Sequence, residues 1–218
     1  MILKKGEGRL PRRKRLIAFD FDGVIANTYP VLREGFFNLY GIDIHPCHTY
    51  SILDKLGFDD RDKFYNDVRK ILSNYSQITN PYPKSIEFLE EVYNKTRNPI
   101  LIVTARDCSL SESTHGWLLK NLTVPYELFM VDEDWKKYYL LYRGVRYWCE
   151  DRLQQANHIG QGRVKVFLMN RIWNMGRNTN ENTIRVNDFE EVFKLLLDEG
   201  VLCDNTIFQE NICKGNNQ

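Results

Sequence analysis

The chain has 218 residues, 43% of them hydrophobic and 27% charged, and a formal net charge of +1, which allows one globular domain carrying a substantial insertion. No unbroken apolar run approaches the roughly 18–20 residues of a membrane span, and no apolar core of a secretory signal stands at the amino terminus, so the expected setting is the cytoplasm without a membrane partner. Five cysteines, Cys47, Cys108, Cys149, Cys203 and Cys213, form no C-x-x-C pair and read as reduced thiols.

The near-neutral total hides an asymmetry. Residues 1–15 hold Lys4, Lys5, Arg9, Arg12, Arg13, Lys14 and Arg15 against Glu7, a charge of +6, which leaves −5 for the remainder. A basic arm can touch nucleic acid, but this one carries no aromatic side chain and reads first as a solvated leader ahead of a buried strand. That strand is Leu16 to Phe19, a continuous apolar run of the kind buried on both faces of a parallel sheet. It delivers Asp20 and Asp22 to its carboxyl end, where ligands bind in open α/β sheets, and Gly23 lets the backbone turn away at once. Two buried carboxylates so close repel each other, so a cation or a shared proton is expected between them. A hard divalent ion such as Mg2+ suits oxygen ligands of this type.

From Thr28 to Tyr82 the pattern is helical, with no core strand. Val31, Leu32, Phe36, Leu39 and Tyr40 predict a helix ended by Gly41, and Phe64, Val68, Ile71 and Leu72 predict another. This insertion would stand over the strand ends as a lid. Its aromatics Phe36, Phe37, Tyr50, Phe58, Phe64 and Tyr65 are expected mostly to pack its own core. Asn80-Pro81-Tyr82-Pro83 is a turn, and Lys84 to Thr96 reads as an amphipathic helix. Pro99 to Asp107 repeats the first strand's logic, a buried β-run ending in Thr104, Ala105 and Arg106. Ser109-x-x-Glu112 reads as a capping box opening the helix that carries Trp117 and Leu118.

Glu127 to Val131 is a third predicted strand, followed by a helix whose first turn is acidic and which holds Lys136 and Lys137. Val145 to Cys149 is a fourth, running into Glu150-Asp151-Arg152. Val164 to Leu168 is a fifth, leading to Asn170-Arg171-Ile172-Trp173-Asn174, and Thr183 to Val186 a short sixth. Asp188-x-x-Glu191 caps a last helix that Gly200 stops.

Asp20-Phe21-Asp22-Gly23-Val24, Thr104, a lysine near the start of the third predicted core helix and the acid pair Glu150-Asp151 stand in the order of the four signatures of the haloacid dehalogenase superfamily, and the chain resembles its Mg2+-dependent phosphatases over about residues 15–200. The resemblance implies an α/β fold: a Rossmann-like parallel sheet sandwiched by helices, with a small helical cap inserted after the first strand. Residues 15–27 and 80–200 would be the core and 28–79 the cap, between an arm (1–14) and a tail (201–218). It further implies Asp20 as nucleophile, Asp22 as general acid and base, and Thr104 and Lys136 as phosphate holders. Lys136 is chosen over Lys137 because the family's Lys followed by Tyr-Leu matches Tyr139 and Leu140. The metal would be held by Asp20, Asp151 and the backbone carbonyl of Asp22, with Glu150 in support.

Phe36-Phe37-Asn38-Leu39-Tyr40-Gly41-Ile42-Asp43 and Asn170 to Asn174 resemble the 5'(3')-deoxyribonucleotidase family of animals, bacteria and phages. The animal enzymes carry Thr-Ser-Pro where this chain has Thr104-Ala105-Arg106, a change toward the phosphatase domain of polynucleotide kinase-phosphatases. The expected substrate is a small phosphomonoester, first a nucleoside monophosphate, with a polynucleotide 3'-end or a sugar phosphate as alternatives. Tyr29 would supply an aromatic ring, and Ala105 and Arg106 would line the substrate. Arg106 has two equal readings: a planar contact to phosphate, or a salt bridge to a neighbouring acid.

Overall fold

A computed structural model describes residues 16–45, 61–75 and 78–202. The basic arm, the tail beyond 202, and Cys47, Tyr50, Phe58, Cys203 and Cys213 lie outside these. Six strands, β1 (Leu16–Phe19), β2 (Ile100–Thr104), β3 (Tyr126–Met130), β4 (Val145–Glu150), β5 (Lys165–Met169) and β6 (Thr183–Val186), form one sheet in the order β3-β2-β1-β4-β5-β6. Every neighbouring pair is parallel. The chain steps outward from β1 to β3, then returns to lay β4 on the other side of β1, so the direction of winding reverses between β1 and β4. A crevice opens at the carboxyl ends of the strands at such a reversal. Phe19 pairs with Cys149, and the Asp20 backbone N–H donates to the Cys149 carbonyl at 3.0 Å. That register sets Asp20 beside Glu150.

The helices are α1 (Tyr29–Tyr40), α2 (Arg61–Tyr75), α3 (Ser85–Thr96), α4 (Ser111–Asn121), α5 (Glu133–Tyr142), α6 (Leu153–Gly160) and α7 (Phe189–Asp198). Alternate side chains of a strand point to opposite faces, and the sequence uses both. Ile17, Phe19, Ile102, Cys149 and Phe167 pack under α3, α4 and α7 through Phe88, Leu89, Trp117, Phe189 and Val192. Ala18, Leu101, Val103, Trp148 and Val166 pack under α5 and α6 through Leu140, Leu153, Ala156 and Ile159.

The pair α1 and α2 has its own apolar cluster, Val31, Leu32, Phe36, Ile44, Phe64, Val68, Ile71 and Leu72, joined by Leu110 from the core. Phe36 stacks on Phe64 with centroids 5.4 Å apart, while Phe37 and Leu39 face outward. The two helices meet at Gly35, where a Cβ would come within 2.6 Å of the Ile71 side chain. An ion pair at 2.6 Å from Arg69 to Asp107 ties α2 to the loop after β2.

One local expectation fails. Ser109 is not the cap of a helix; Cys108–Leu110 is a turn of 3-10 helix, and Asp107 caps it by accepting from the Ser109 backbone N–H at 2.9 Å, so α4 starts at Ser111. Capped by Asp107, the turn holds Ser109 inside it, so Ser109 is not the non-helical residue ahead of α4 that a cap has to be. At α7 the expected box forms in a modified way: Asp188 accepts from the Glu191 N–H at 3.0 Å, and Glu191 accepts from the Asn187 N–H at 2.8 Å.

Gly35→Val is expected to cost about 1–3 kcal/mol through overpacking between α1 and α2. Denaturant or thermal unfolding measures it, and an unchanged midpoint would show that the two helices do not pack closely there.

Candidate active site

Beyond β1 the chain makes a tight loop. The N–H groups of Ile25 and Ala26 both donate to the Phe21 carbonyl, and Gly23 N–H donates to the Ala26 carbonyl. Gly23 sits at φ +71°, and a Cβ there would run into the Asp151 carboxylate. Both facts demand glycine, and together they let the loop after β1 lie directly against the acid loop after β4.

Asp20 is buried, with Oδ1 accepting from the Phe21 N–H and Oδ2 from the Lys136 ammonium, both at 2.8 Å. Lys136 is delivered by the inward side of α5, one turn before the buried Leu140. Its Nζ lies 3.8 Å from Glu150 and 5.3 Å from the centre of the Trp148 ring. Lys137 is half-exposed on the same helix. Thr104, at the end of β2, is buried and accepts from the Arg106 N–H at 3.3 Å.

Glu150 is fully buried at the end of β4, and both its oxygens are occupied. One accepts from the backbone N–H groups of Asp151 (3.1 Å) and Arg152 (3.2 Å), the other from the Trp148 indole (3.1 Å). Asp151 borders the cavity, together with Asp20, Asp22, Tyr29, Thr104, Ala105, Arg106, Lys136 and Trp173. The expectation of two buried acids on β1 is corrected in one respect: the Asp22 side chain is about a third exposed. It is held outward by Arg106, whose Nε and Nη2 each donate to it at 2.7 Å. Arg106 also donates to Thr114 and lies 4.4 Å from the Phe21 ring centre. Of its two readings, the salt bridge is the one present.

Asp20, Glu150 and Asp151 bring carboxylate oxygens within 4.8 Å of one another. Burial, and then its acidic neighbours, push the Asp20 carboxyl up to about 8 although Lys136 opposes the shift. Asp151 is raised by burial and then by Glu150 and Asp20. Burial also works against the Glu150 anion, but Lys136, Arg152 and a backbone N–H outweigh it and hold that carboxyl below its ordinary value. Lys136 loses solvation by burial yet is held in its charged form by Asp20 and Glu150. Three buried acids facing one ammonium make an all-oxygen, electron-rich donor set. It fits a hard divalent cation such as Mg2+, which takes one or two carboxylates and keeps waters.

Residues after β5 complete the site; the sequence singled out Asn170 to Asn174 as a resemblance but assigned none of them a contact. Trp173 donates its indole N–H to Asp151 Oδ2 at 3.0 Å, and its ring lies 5.0 Å from that of Tyr29. Asn174 donates to the Asp151 carbonyl at 2.6 Å and the Met169 carbonyl at 2.8 Å. Arg171 donates to the Gly23 carbonyl at 2.8 Å and stacks on Tyr82 at 3.8 Å. The sequence signals for them were their place directly after a strand and the family resemblance of the run Asn170 to Asn174, neither of which names a partner.

The cavity over Asp20 measures about 60 Å3, room for about four or five water-sized groups at ~10–15 Å3 each. A phosphoryl group is of that size. A groove of about 520 Å3 adjoins it and shares Asp22, Val68, Leu72, Ala105 and Arg106; Tyr65, Arg69, Asp107 and Met130 also line it. Among the described residues no helix is long and apolar enough to cross a membrane.

This is the fold of the haloacid dehalogenase-like hydrolases. A solved structure of a hydrolase of that family from Deinococcus radiodurans, with bound phosphate and sodium, superposes with a TM-score of 0.57 at 12% identity, covering 86% of this chain and 97% of that one. A candidate phosphoglycolate phosphatase from Lactobacillus plantarum gives a TM-score of 0.58 at 16% identity, over 84% of this chain and 99% of that chain. A haloacid dehalogenase-like protein from Streptococcus pneumoniae gives 0.55 at 14% identity, over 84% and 99%. No protein-family model matches the sequence, and no curated protein matches it.

The raised Asp20 carboxyl sets a sign for pH dependence. A folded value of about 8 above an ordinary 3.8 favours folding at low pH, and that contribution is lost as pH rises through the folded value. In chelator, Asp20→Asn should therefore gain Tm relative to the unmodified chain between pH 5 and pH 8.5. Mg2+ should then raise the Tm of the unmodified chain and not that of the variant. A Tm difference that stays flat with pH would mean that Asp20 is ionised in the metal-free fold.

Proposed function

We infer that the chain is a phosphomonoester hydrolase that works through an aspartyl phosphate on Asp20. The observation that carries this reading is the convergence of Asp20, Asp22, Thr104, Lys136 and Asp151 on a phosphoryl-sized cavity at the reversal of the sheet. The shared fold with hydrolases, one of them holding phosphate, supports it. A phosphate monoester resists attack because its oxygens are anionic, so catalysis consists of neutralising them while keeping nucleophile and leaving group in line.

In this reading an Asp20 oxygen attacks phosphorus, and the bond to the leaving oxygen breaks. Asp22 gives that oxygen a proton and then takes one from the water that cleaves the acyl phosphate, returning Asp20 to its starting state. Thr104 donates a hydrogen bond to the transferred oxygens and Lys136 meets them as a point charge. Arg106 sets the direction of Asp22. Mg2+ would be held by Asp20, Asp151 and the Asp22 carbonyl, with Glu150 behind them, and when bound it supplies charge neutralisation. The pair α1 and α2 acts as the cap.

The substrate we propose is a nucleoside monophosphate. The groove beside Asp22, at about 520 Å3, lies within the ~300–1,000 Å3 of small-molecule sites and contacts the acid that must face the leaving group. Its rim carries Asp62, Asp107, Asp132 and Glu133 against Arg69 and Arg106, a charge balance that repels further phosphates and so disfavours a polynucleotide end. A sugar phosphate or another small organic phosphate is the second reading, favoured by the phosphoglycolate phosphatase similarity.

Phosphate release from nucleoside monophosphates, sugar phosphates and 3'-phosphorylated oligonucleotides, with Mg2+ and with chelator, tests the reading. Mononucleotides should give the highest kcat/KM, lose turnover in chelator and show little salt dependence. A polynucleotide substrate would instead lose affinity with a slope of about −0.7 per phosphate contacted. Absence of phosphate release from every substrate would end the proposal.

Asp22→Asn separates the steps. With p-nitrophenyl phosphate, whose leaving group needs little protonation, it should lose less activity than with a nucleotide. Equal losses on both would remove Asp22 as the acid.

A further inference from the structure

Helix α5 presents a second feature on the side opposite Lys136. Trp135, Tyr138 and Tyr142 are 64%, 57% and 86% exposed, and at spacings i, i+3 and i+7 they share one stripe of the helix. Trp135 and Tyr138 touch, with centroids 5.7 Å apart. Leu141, also exposed, flanks them. The helix is built to hold this stripe in place, because its inner side is anchored by buried Lys136 and Leu140. Isolated surface apolar residues need no explanation, but a contiguous aromatic stripe with a polar border marks an interaction site.

Charge says what fits it. The amino-terminal end of the stripe carries Asp132 and Asp134, and the strand that follows its carboxyl end carries Arg146; all three are exposed, and none is in an ion pair among the described residues. Unlike charges stand at the two ends of the stripe, and the helix dipole likewise has unlike ends, positive at the amino terminus and negative at the carboxyl terminus. A second α5 laid antiparallel across the first sets Asp134 of one copy near Arg146 of the other and opposes the two dipoles, while Asp132 stays on the rim of the substrate groove.

We propose that the α5 stripe is a two-fold interface between copies of this chain, with Trp135 of each copy against Tyr142 of the other and the two Tyr138 rings near the axis. A two-fold contact uses the same patch twice, and this patch is complementary to itself. Three rings from each copy, at roughly 150–250 Å2 apiece when fully buried, bring the interface to on the order of 1,000 Å2, where specific association begins. Lys136 is held from within each copy, so the active site remains intact in either state.

Sedimentation of the full chain across a range of micromolar concentrations tests the interface. A dimer is expected, and Tyr138→Glu should weaken it by roughly tenfold or more, as removal of a central aromatic does, with circular dichroism and phosphatase turnover per chain unchanged. Asp134→Lys and Arg146→Glu should each weaken the dimer, and the two together in one chain should restore it, because each then meets its opposite across the axis. A chain that is monomeric throughout, a dimer indifferent to Tyr138→Glu, or charge reversals that fail to compensate would overturn the proposal.

Discussion

Too much negative charge is gathered in one buried place, and the rest of the site is arranged around that fact. The reversal of strand order between β1 and β4 puts Asp20, Glu150 and Asp151 together, away from water, where like charges raise one another's proton affinity. One ammonium, Lys136, answers part of the charge. Glu150 is spent on backbone N–H groups and an indole, which keep it ionised and rigid. Asp20 and Asp151 are left with proton affinities raised by burial. That is the state in which a divalent ion, or a phosphate bringing one with it, gains most by binding.

The loops divide the remaining work by position. The turn after β1 brings its backbone against Asp151 because Gly23 has no side chain there. The segment after β5 fixes both partners at once, Arg171 on the Gly23 carbonyl and Trp173 and Asn174 on Asp151. The residues after β2 hold Asp22 through Arg106 and tie α2 to the sheet's loops through Asp107. Each of these contacts is local in space and far apart in sequence, which is how a sheet's carboxyl edge gathers chemistry from several crossovers. The α5 helix serves both sides of the molecule, carrying Lys136 inward and an aromatic stripe outward on a helix of ten residues.

Much of this was legible in the chain itself. The strands announce themselves as short apolar runs because a parallel sheet covered on both faces needs both sides of each strand apolar. The acids and Thr104 sit at the ends of those runs, so their place at the sheet's carboxyl edge follows from order alone. Helix ends were readable where one residue decides them, as at Gly41 with φ +67°. The start of α4 was misread because Asp107, outside the expected box, caps a 3-10 turn that takes in Ser109.

Pairings between distant segments were not legible. Nothing in the spacing of Arg106 chooses between phosphate and Asp22, since both present a pair of anionic oxygens to a guanidinium fork and only the fold sets one at 2.7 Å. Nor does sequence show that Asp22 stays about a third exposed while Asp20 is sealed, because exposure depends on what packs above the strand end. Trp173 and Asn174 read as loop residues until the crossover from β5 lays them on Asp151. Sequence alone determined most of the secondary structure and the parallel α/β class, because these depend on periodicity within a few residues, and its resemblance to a known superfamily picked out the candidate residues. Tertiary structure alone decided which charge meets which and how far each is buried, because electrostatic partners are chosen by distances across the fold that no stretch of chain encodes by itself.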